Sequence, residues 1–465
     1  MKKITTSLVL LALSGSSLRA EAFRKVQEEV SERTGVEVRW EKEMASREET
    51  SVIVQRLLRK PLTVSSAVRI ALLNNRGLQA TFEDVGIAQA DVIEAVTLPN
   101  PSVDFDVEFP LVAGTLNRYA WLVAQEFVQI LMIPLKKKLS EERLEAIELR
   151  VADETLDLVA RVKTAYFMVQ ADQQLISRLK LIQETHAASL DLGQKQYKAG
   201  NITDLALLQL QASYSQGRLD IVRAETDLRD KREELTRLLG LWGSQTTWKI
   251  EGDIMPIPDS DFSVKGLESL AVAQRLDLRA AHRDLTSIVT ALGLTRIYRW
   301  IPVLEFGFSG ERDVDAEGAL NMGPSFRLEV PIFNQGQARI ARATSELRRA
   351  ENRLAALAVE IRSETRELRD RLISLRDMAK FYHDDLLPTR IKIVNKALLE
   401  YNAMQLSPYE LFLAKSQEME AERSYIDTVR DHWITRAKLE RTVGGKLTPR
   451  NPTSVADGKT TKKKP

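Results

Sequence analysis

Four short motifs recur in the same order about two hundred residues apart, and that duplication limits what the chain can fold into more than any other feature. Asn75-Arg76-Gly77-Leu78-Gln79-Ala80 matches Arg275-Leu276-Asp277-Leu278-Arg279-Ala280, and Leu98-Pro99-Asn100-Pro101 matches Ile301-Pro302-Val303-Leu304. Tyr197-Lys198-Ala199-Gly200 matches Tyr401-Asn402-Ala403-Met404, and Leu235-Thr236-Arg237-Leu238-Leu239-Gly240 matches Leu439-Glu440-Arg441-Thr442-Val443-Gly444. The offsets run from 200 to 204 and keep their order. Chance gives one such match, hardly four in series. Each copy reads as helix, strand, loop, strand, very long helix, tight turn, long helix. The predicted organisation is a signal peptide at 1–22, an N-terminal arm at 23–60, a first repeat at 61–240, a connector at 241–265, a second repeat at 266–445 and a disordered tail at 446–465. The connector is rich in Gly, Pro, Ser and Asp, and the tail holds three prolines.

The strands alternate with a period of two. Val103, Phe105, Val107, Phe109 and Leu111 share one face, and Asp104, Asp106 and Glu108 the other. Leu304, Phe306 and Phe308 oppose Glu305, Gly307 and Ser309, and residues 320–330 follow the same rule. A fourth strand, near 118–129, alternates poorly. A soluble sheet with one face on a core fits this pattern, and so does a membrane barrel. Three features favour the barrel. The runs are about ten residues, enough for a tilted strand to cross a bilayer. The carboxylates Asp104, Asp106, Glu108 and Glu305 suit a wet lumen, and Tyr119, Trp121 and Trp300 sit at strand ends, where membrane interfaces place aromatics. Two strands per repeat make four per chain, and four strands cannot close. Lipid does not tolerate an open edge, so the barrel must be shared between subunits. A dimer gives eight strands and a trimer twelve; this argument demands assembly without choosing.

Residues 139–192 and 337–387 contain neither Gly nor Pro. About fifty residues make a helix of roughly 75–80 Å. Leu207, Leu210, Tyr214, Gly217, Ile221, Ala224 and Leu228 follow coiled-coil spacing, with a second seam at Leu205, Leu208, Ala212, Leu219 and Val222. Two seams suit a helix with a neighbour on each side; an ordinary two-helix coiled coil with extra apolar residues fits equally well.

Lys2-Lys3, the apolar stretch Leu8–Leu13 and Ala20-Glu21-Ala22 make the N-terminus read as a secretory signal. The chain has no cysteine, which excludes disulfides, thiol nucleophiles and a lipid anchor on Cys. A net charge of +2 argues against nucleic acid as a partner. The four histidines lie far apart, and there is no P-loop, H-E-x-x-H or G-x-S-x-G. No enzyme activity and no cofactor are expected.

Pro61-Leu62-Thr63 leading into Ala67–Asn75, Leu98-Pro99-Asn100-Pro101, Tyr197–Leu205 and Leu238-Leu239-Gly240-Leu241 together resemble the outer-membrane factor family, the TolC-like ducts of bacterial efflux and secretion systems. The resemblance covers about residues 60–445, and Asn201-Ile202-Thr203-Asp204-Leu205 is similar to the branch that exports heavy-metal cations. It implies a mixed α/β membrane protein: a homotrimer whose shared outer-membrane β-barrel, four strands per chain, continues into a long periplasmic α-helical barrel. It further implies a periplasmic adaptor and an inner-membrane pump as partners, a location in the outer membrane against its lipid, and no catalysis by the duct. A non-channel periplasmic coiled-coil scaffold or adaptor is the competing reading.

In that family the Tyr-x-x-Gly turns lie at the periplasmic tip, and acidic residues just after them can ring the entrance. The matching positions are Asp204 and Glu410 as candidate gate carboxylates, with Tyr197, Gly200 and Tyr401 in the tip turns as possible adaptor contacts. Symmetry around a narrow pore would gather such carboxylates into a cation-attracting ring. The competing role is helix capping. Ser407-Pro408-Tyr409-Glu410 fits a capping box, and Thr203 or Asp204 can be an N-cap. Capping is favoured about two to one over gating, and one side chain can do both. Met404 stands where the first turn has Gly200, so the two tips are expected to differ in geometry.

Overall fold

The computed structural model describes residues 23–40, 44–109, 117–258, 266–312 and 319–447. The signal peptide, Leu111, the end of the connector and most of the tail lie outside the described residues. The elements run α1 (23–34), α2 (Met44–Leu58), α3 (Val64–Asn74), α4 (Arg76–Val96), β1 (Ser102–Glu108), β2 (Arg118–Glu126), α5 (Phe127–Leu131), α6 (Ile133–Lys198) and α7 (Asp204–Leu239). A 3-10 turn (Gly243–Thr246) follows, then α8 (Leu267–Gln274), α9 (Leu276–Tyr298), β3 (Leu304–Arg312), β4 (Leu320–Leu328), α10 (Gln337–Phe381), a π turn (Tyr382–Leu386), α11 (Leu387–Asn402) and α12 (Pro408–Val443). No helix among the described residues is long and apolar enough to cross a membrane.

Two compact units emerge, each drawn from separate stretches of the chain. The first takes residues 81–152 and 276–359 and holds the sheet. Its strands lie in the order β1-β2-β3-β4, all antiparallel. The helical stretches of this unit are joined by polar contacts: Arg150 pairs with Asp284, Arg283 Nε lies 3.1 Å from Glu145 Oε2, and Thr290 Oγ1 donates to Glu142 Oε2 at 2.8 Å.

The second unit takes residues 27–80, 153–275 and 360 onward. Here the segment before α3 is stitched to the stretch after α7. Leu62 forms a parallel bridge with Ile250, and its N–H donates to Lys249 O at 2.7 Å. Tyr166 Oη donates to Leu62 O at 2.9 Å, and burial pushes its phenol up to about 12. Asn74 and Asn75 use their side-chain amides on the last carbonyls of α7, those of Leu238, Leu239 and Gly240, which have no partner within the helix. Arg33 does the same for other helix ends, donating to Gln274 O at 2.9 Å and Gly444 O at 2.5 Å. The ring of Trp433 stacks on Phe167 at 5.6 Å, and Leu267, Leu372, Leu439, Val443 and Leu447 form a buried cluster.

The long helices exceed the windows free of Gly and Pro. α6 has 66 residues because Pro134 falls in its first turn, where no hydrogen bond is lost. Gly193, near its end, leaves room for Leu210, whose Cδ1 would lie 2.4 Å from a Cβ there. Pro388 does not stop the second long path. The π turn just before it absorbs the missing N–H and the ring's clash with the carbonyl four residues back, and the helical path continues to Asn402. Within α7 the first seam is the more covered one, with Leu207 and Leu210 buried and Tyr214, Gly217, Ile221, Ala224 and Leu228 half-buried, while Leu205, Leu208, Leu219 and Val222 of the second seam are exposed.

Gly240 closes α7 in the left-handed region, at φ 67, and a Cβ there would lie 2.6 Å from Asn74 O. Gly252 has φ 51 with open space around it. Gly240→Ala is therefore expected to lower the melting temperature of the detergent-solubilised protein clearly more than Gly252→Ala, which carries only the left-handed strain of about 1 kcal/mol. Equal shifts in the two variants would mean that Asn74 yields freely and the junction is not tight.

Candidate functional site

Strand register decides which side chains share a face, and it resolves the strand that the sequence left ambiguous. Phe105 lies opposite Trp121, Val103 opposite Val123, and Val107 opposite Tyr119. Val123 in turn faces Phe308, and Trp121 faces Gly310. Phe308 faces Pro324, Phe306 faces Phe326, and Gly310 faces Met322. One face thus carries an apolar band across all four strands, and it is exposed: Phe105 is 65% accessible. Close packing within the band is aromatic, Phe127 on Phe306 at 5.1 Å and Phe306 on Phe326 at 5.2 Å. β2 alternates poorly in sequence because Ala120, Leu122 and Ala124 occupy its other face.

That other face gathers Asp104, Asp106, Glu108 and Glu305, as strand parity predicts. It also carries Glu126, Glu311 and two arginines. Arg118 sits opposite Glu108, with Nη1 3.4 Å from Glu108 Oε2 and Nε 2.5 Å from Glu311 Oε1. Arg327 lies opposite Glu305 at 2.9 Å. The alternation of β4 already puts Arg327 on this face; Arg118 was missed, because its place needed the register of β2. Asp104 and Asp106 stand exposed on this face.

The two tip turns have one geometry, against the expectation that they differ. In the first, Gly200 N donates to Tyr197 O at 2.9 Å and Asn201 N to Gln196 O at 2.9 Å. In the second, Met404 N donates to Tyr401 O at 3.0 Å and Gln405 N to Glu400 O at 2.9 Å. These paired bonds are a Schellman closure, which needs a left-handed residue. Gly200 supplies it at φ 75 and Met404 at φ 56; Met404 is the only non-glycine with positive φ among the described residues. The turns also meet, since Gln196 Nε2 donates to Tyr401 Oη at 3.4 Å.

Both candidate gate carboxylates begin helices, in different ways. Thr203 caps α7, its side chain accepting from Ala206 N, and leaves Asp204 as the first helical residue, exposed. Glu410 completes a capping box: its Oε2 accepts from Ser407 N at 2.9 Å and from Ser407 Oγ at 2.8 Å. The Ser407 backbone N–H, then its hydroxyl, hold the Glu410 carboxyl below the usual range. Among the described residues no group of three or more metal-ligating side chains is assembled.

Met404→Gly removes a left-handed strain and is expected to stabilise the protein by about 0.5–1 kcal/mol. Ser407→Ala removes a cap and is expected to cost about 1 kcal/mol. Thermal melts of the solubilised protein check both; a destabilising Met404→Gly would mean that the side chain makes contacts that outweigh its strain.

Residues 135–241, the long hairpin of α6 and α7, match the family model described as outer membrane efflux protein. The cobalt-zinc-cadmium resistance protein CzcC of Cupriavidus metallidurans is 20% identical over 395 residues, spanning 83% of this chain and 90% of that protein. Among solved structures, CusC superposes with a TM-score of 0.69 at 18% identity, over 82% of this chain and 92% of the other. The CmeC outer membrane channel of Campylobacter jejuni gives 0.72 at 15% identity, over 83% and 86%. The hairpin signature is that of outer membrane efflux proteins, the fold is that of outer-membrane channels, and the exposed apolar sheet face agrees with both.

Proposed function

We propose that the protein is the passive outer-membrane duct of a tripartite export system, with heavy-metal cations as its cargo. The observation that carries the duct reading is the four-stranded sheet with one exposed apolar face, one polar face and two open edges. Nine residues of β4 span about 30 Å, or about 23 Å when tilted near 40°, which approaches the apolar band of a membrane barrel. The outer edges of β1 and β4 have no partner strand among the described residues, and lipid would leave their backbone groups unsatisfied. Closure by itself requires only an oligomer; the resemblance to TolC-like ducts supplies the number three, and three copies give twelve strands and a water-filled bore. Residues 61–240 and 266–445 act in it as two repeats, and their long helices form the periplasmic conduit. The exposed second seam of α7 is the face that a neighbouring helix covers.

Asp104, Asp106, Glu108 and Glu305 line the bore, with Arg118 and Arg327 reducing its negative charge. The tip turns form the entrance, and Tyr197, Gly200, Tyr401 and the exposed Met404 meet a periplasmic adaptor that couples the duct to an inner-membrane pump. Asp204 is the better-placed ring carboxylate, because Glu410 is engaged by its own cap. Cation cargo is supported by the relation to a protein named for cobalt, zinc and cadmium resistance.

Deletion of the gene is expected to raise sensitivity to divalent metals more than to dyes, detergents or antibiotics; unchanged metal tolerance sinks the cargo assignment. Extraction of the protein by high salt without detergent would sink the duct reading itself. In planar bilayers, Asp204→Asn is expected to lower the cation-to-anion permeability ratio by about twofold or more, while Glu410→Gln leaves it nearly unchanged. The reverse order would transfer the ring to Glu410.

A further inference from the structure

Away from the sheet and the tip turns, the second unit holds a cleft of about 580 Å³. That is within the range of small-molecule sites. It lies between α2, the junction of α3 with α4, and the turn that follows α7. Three observations set it apart. First, Trp242 on its rim is 80% exposed, yet the turn that carries it is fixed. Trp248, six residues on, is buried beneath the guanidinium of Arg232 at 4.0 Å. Arg232 Nη2 donates to Trp248 O at 2.7 Å, and Trp248 Nε1 donates to Thr236 Oγ1 at 3.2 Å. The indole of Trp242 is thus a flat apolar surface held out from a rigid base. Second, Arg47 and Arg59 line the cleft and, among the described residues, no carboxylate does, in a chain whose charges otherwise nearly balance. Third, Thr50 in the wall is 3% exposed, and its hydroxyl has no hydrogen-bond partner among the described residues. A buried hydroxyl left in that state is costly unless a further group completes it.

We infer that this cleft binds a carboxylate-bearing amino sugar, as a unit of an anionic glycan. An exposed indole packs well against the C–H face of a pyranose, which is apolar while its rim is polar. Arginines beside it take a carboxylate in charge-assisted hydrogen bonds. Thr50, with Ser244 and Gln245 on the opposite wall, offers partners for hydroxyl and acetamide groups. An acidic peptide would satisfy the arginines but has no need of a bare indole face. The inference rests on the outer-membrane reading above, because polymers of N-acetylated, carboxylate-bearing sugars occupy the compartment into which such a duct extends.

The test uses the full-length protein purified in detergent, with intrinsic tryptophan fluorescence and calorimetry as readouts. The probes are the N-acetylglucosamine–N-acetylmuramic acid disaccharide, its uncharged analogue N,N′-diacetylchitobiose, and penta-glutamate. The charged disaccharide is expected to bind about fivefold or more tighter than N,N′-diacetylchitobiose. Trp242→Ala is expected to weaken it about tenfold, and Arg59→Gln and Thr50→Val about threefold each. Trp242 and Arg59 are exposed, so these two variants leave the fold intact, as an unchanged melt will verify. Absence of disaccharide binding overturns the proposal, as does binding indifferent to both Trp242→Ala and Arg59→Gln. Penta-glutamate binding as tightly as the disaccharide also overturns it and reassigns the cleft to an acidic peptide. Failure here with detergent-dependent membrane extraction intact would sink the cleft alone; salt extraction would sink the membrane reading independently.

Discussion

Every strand in lipid must spend both rows of its backbone hydrogen-bonding groups on other strands, because hydrocarbon offers no substitute. That requirement governs this protein. The sheet has four strands, so two rows, on β1 and β4, remain open within one chain. In water such edges would be an aggregation hazard, which soluble proteins blunt with charges or cover with helices. Here the face beside them is apolar and bare, and burying it against lipid without closing the edges would cost several kcal/mol for each unsatisfied group. In the proposed oligomer, closure through neighbouring copies would remove the edges and leave the apolar face where lipid can cover it.

The helical parts follow a related rule in a different solvent. α6 and α7 are long and charge-faced, and their stability cannot come from helix propensity alone. In the second unit, the ends that helices leave unsatisfied are met by specific side chains: Asn74 and Asn75 at the end of α7, Arg33 at the ends of α8 and α12. These contacts join segments distant in sequence, and the residues before α3 are drawn into the unit by them. The arm at 23–60, which had no assigned role from sequence, therefore has at least a structural one through Arg33.

What the sequence disclosed depended on whether a signal was local. β1, β3 and β4 were readable because their alternation needs only the strand itself. β2 was not, since Leu122 and the alanines beside it break the pattern, and only pairing with Asp104 and Ser309 assigns them to the polar face. The positions of the carboxylates followed from parity, but the pairing of Glu108 with Arg118 followed from register. Capping at Ser407 and Glu410 was legible because a capping box spans only four residues. The passage of a helix across Pro388 was not, because a π turn is a response of the backbone to the proline and leaves no residue signature of its own.

The two tips carry the remaining argument. Their hydrogen bonds are the same, so the turn is imposed by the need to satisfy the last carbonyls of one helix and start the next. Glycine meets that need without strain in the first tip. Methionine meets it in the second with strain, while its side chain stays almost wholly in solvent, 95% exposed. Nothing in the turn's geometry calls for methionine. On the proposed function, that exposed, polarisable side chain is the one offered to the adaptor. The two turns share a backbone but not a surface.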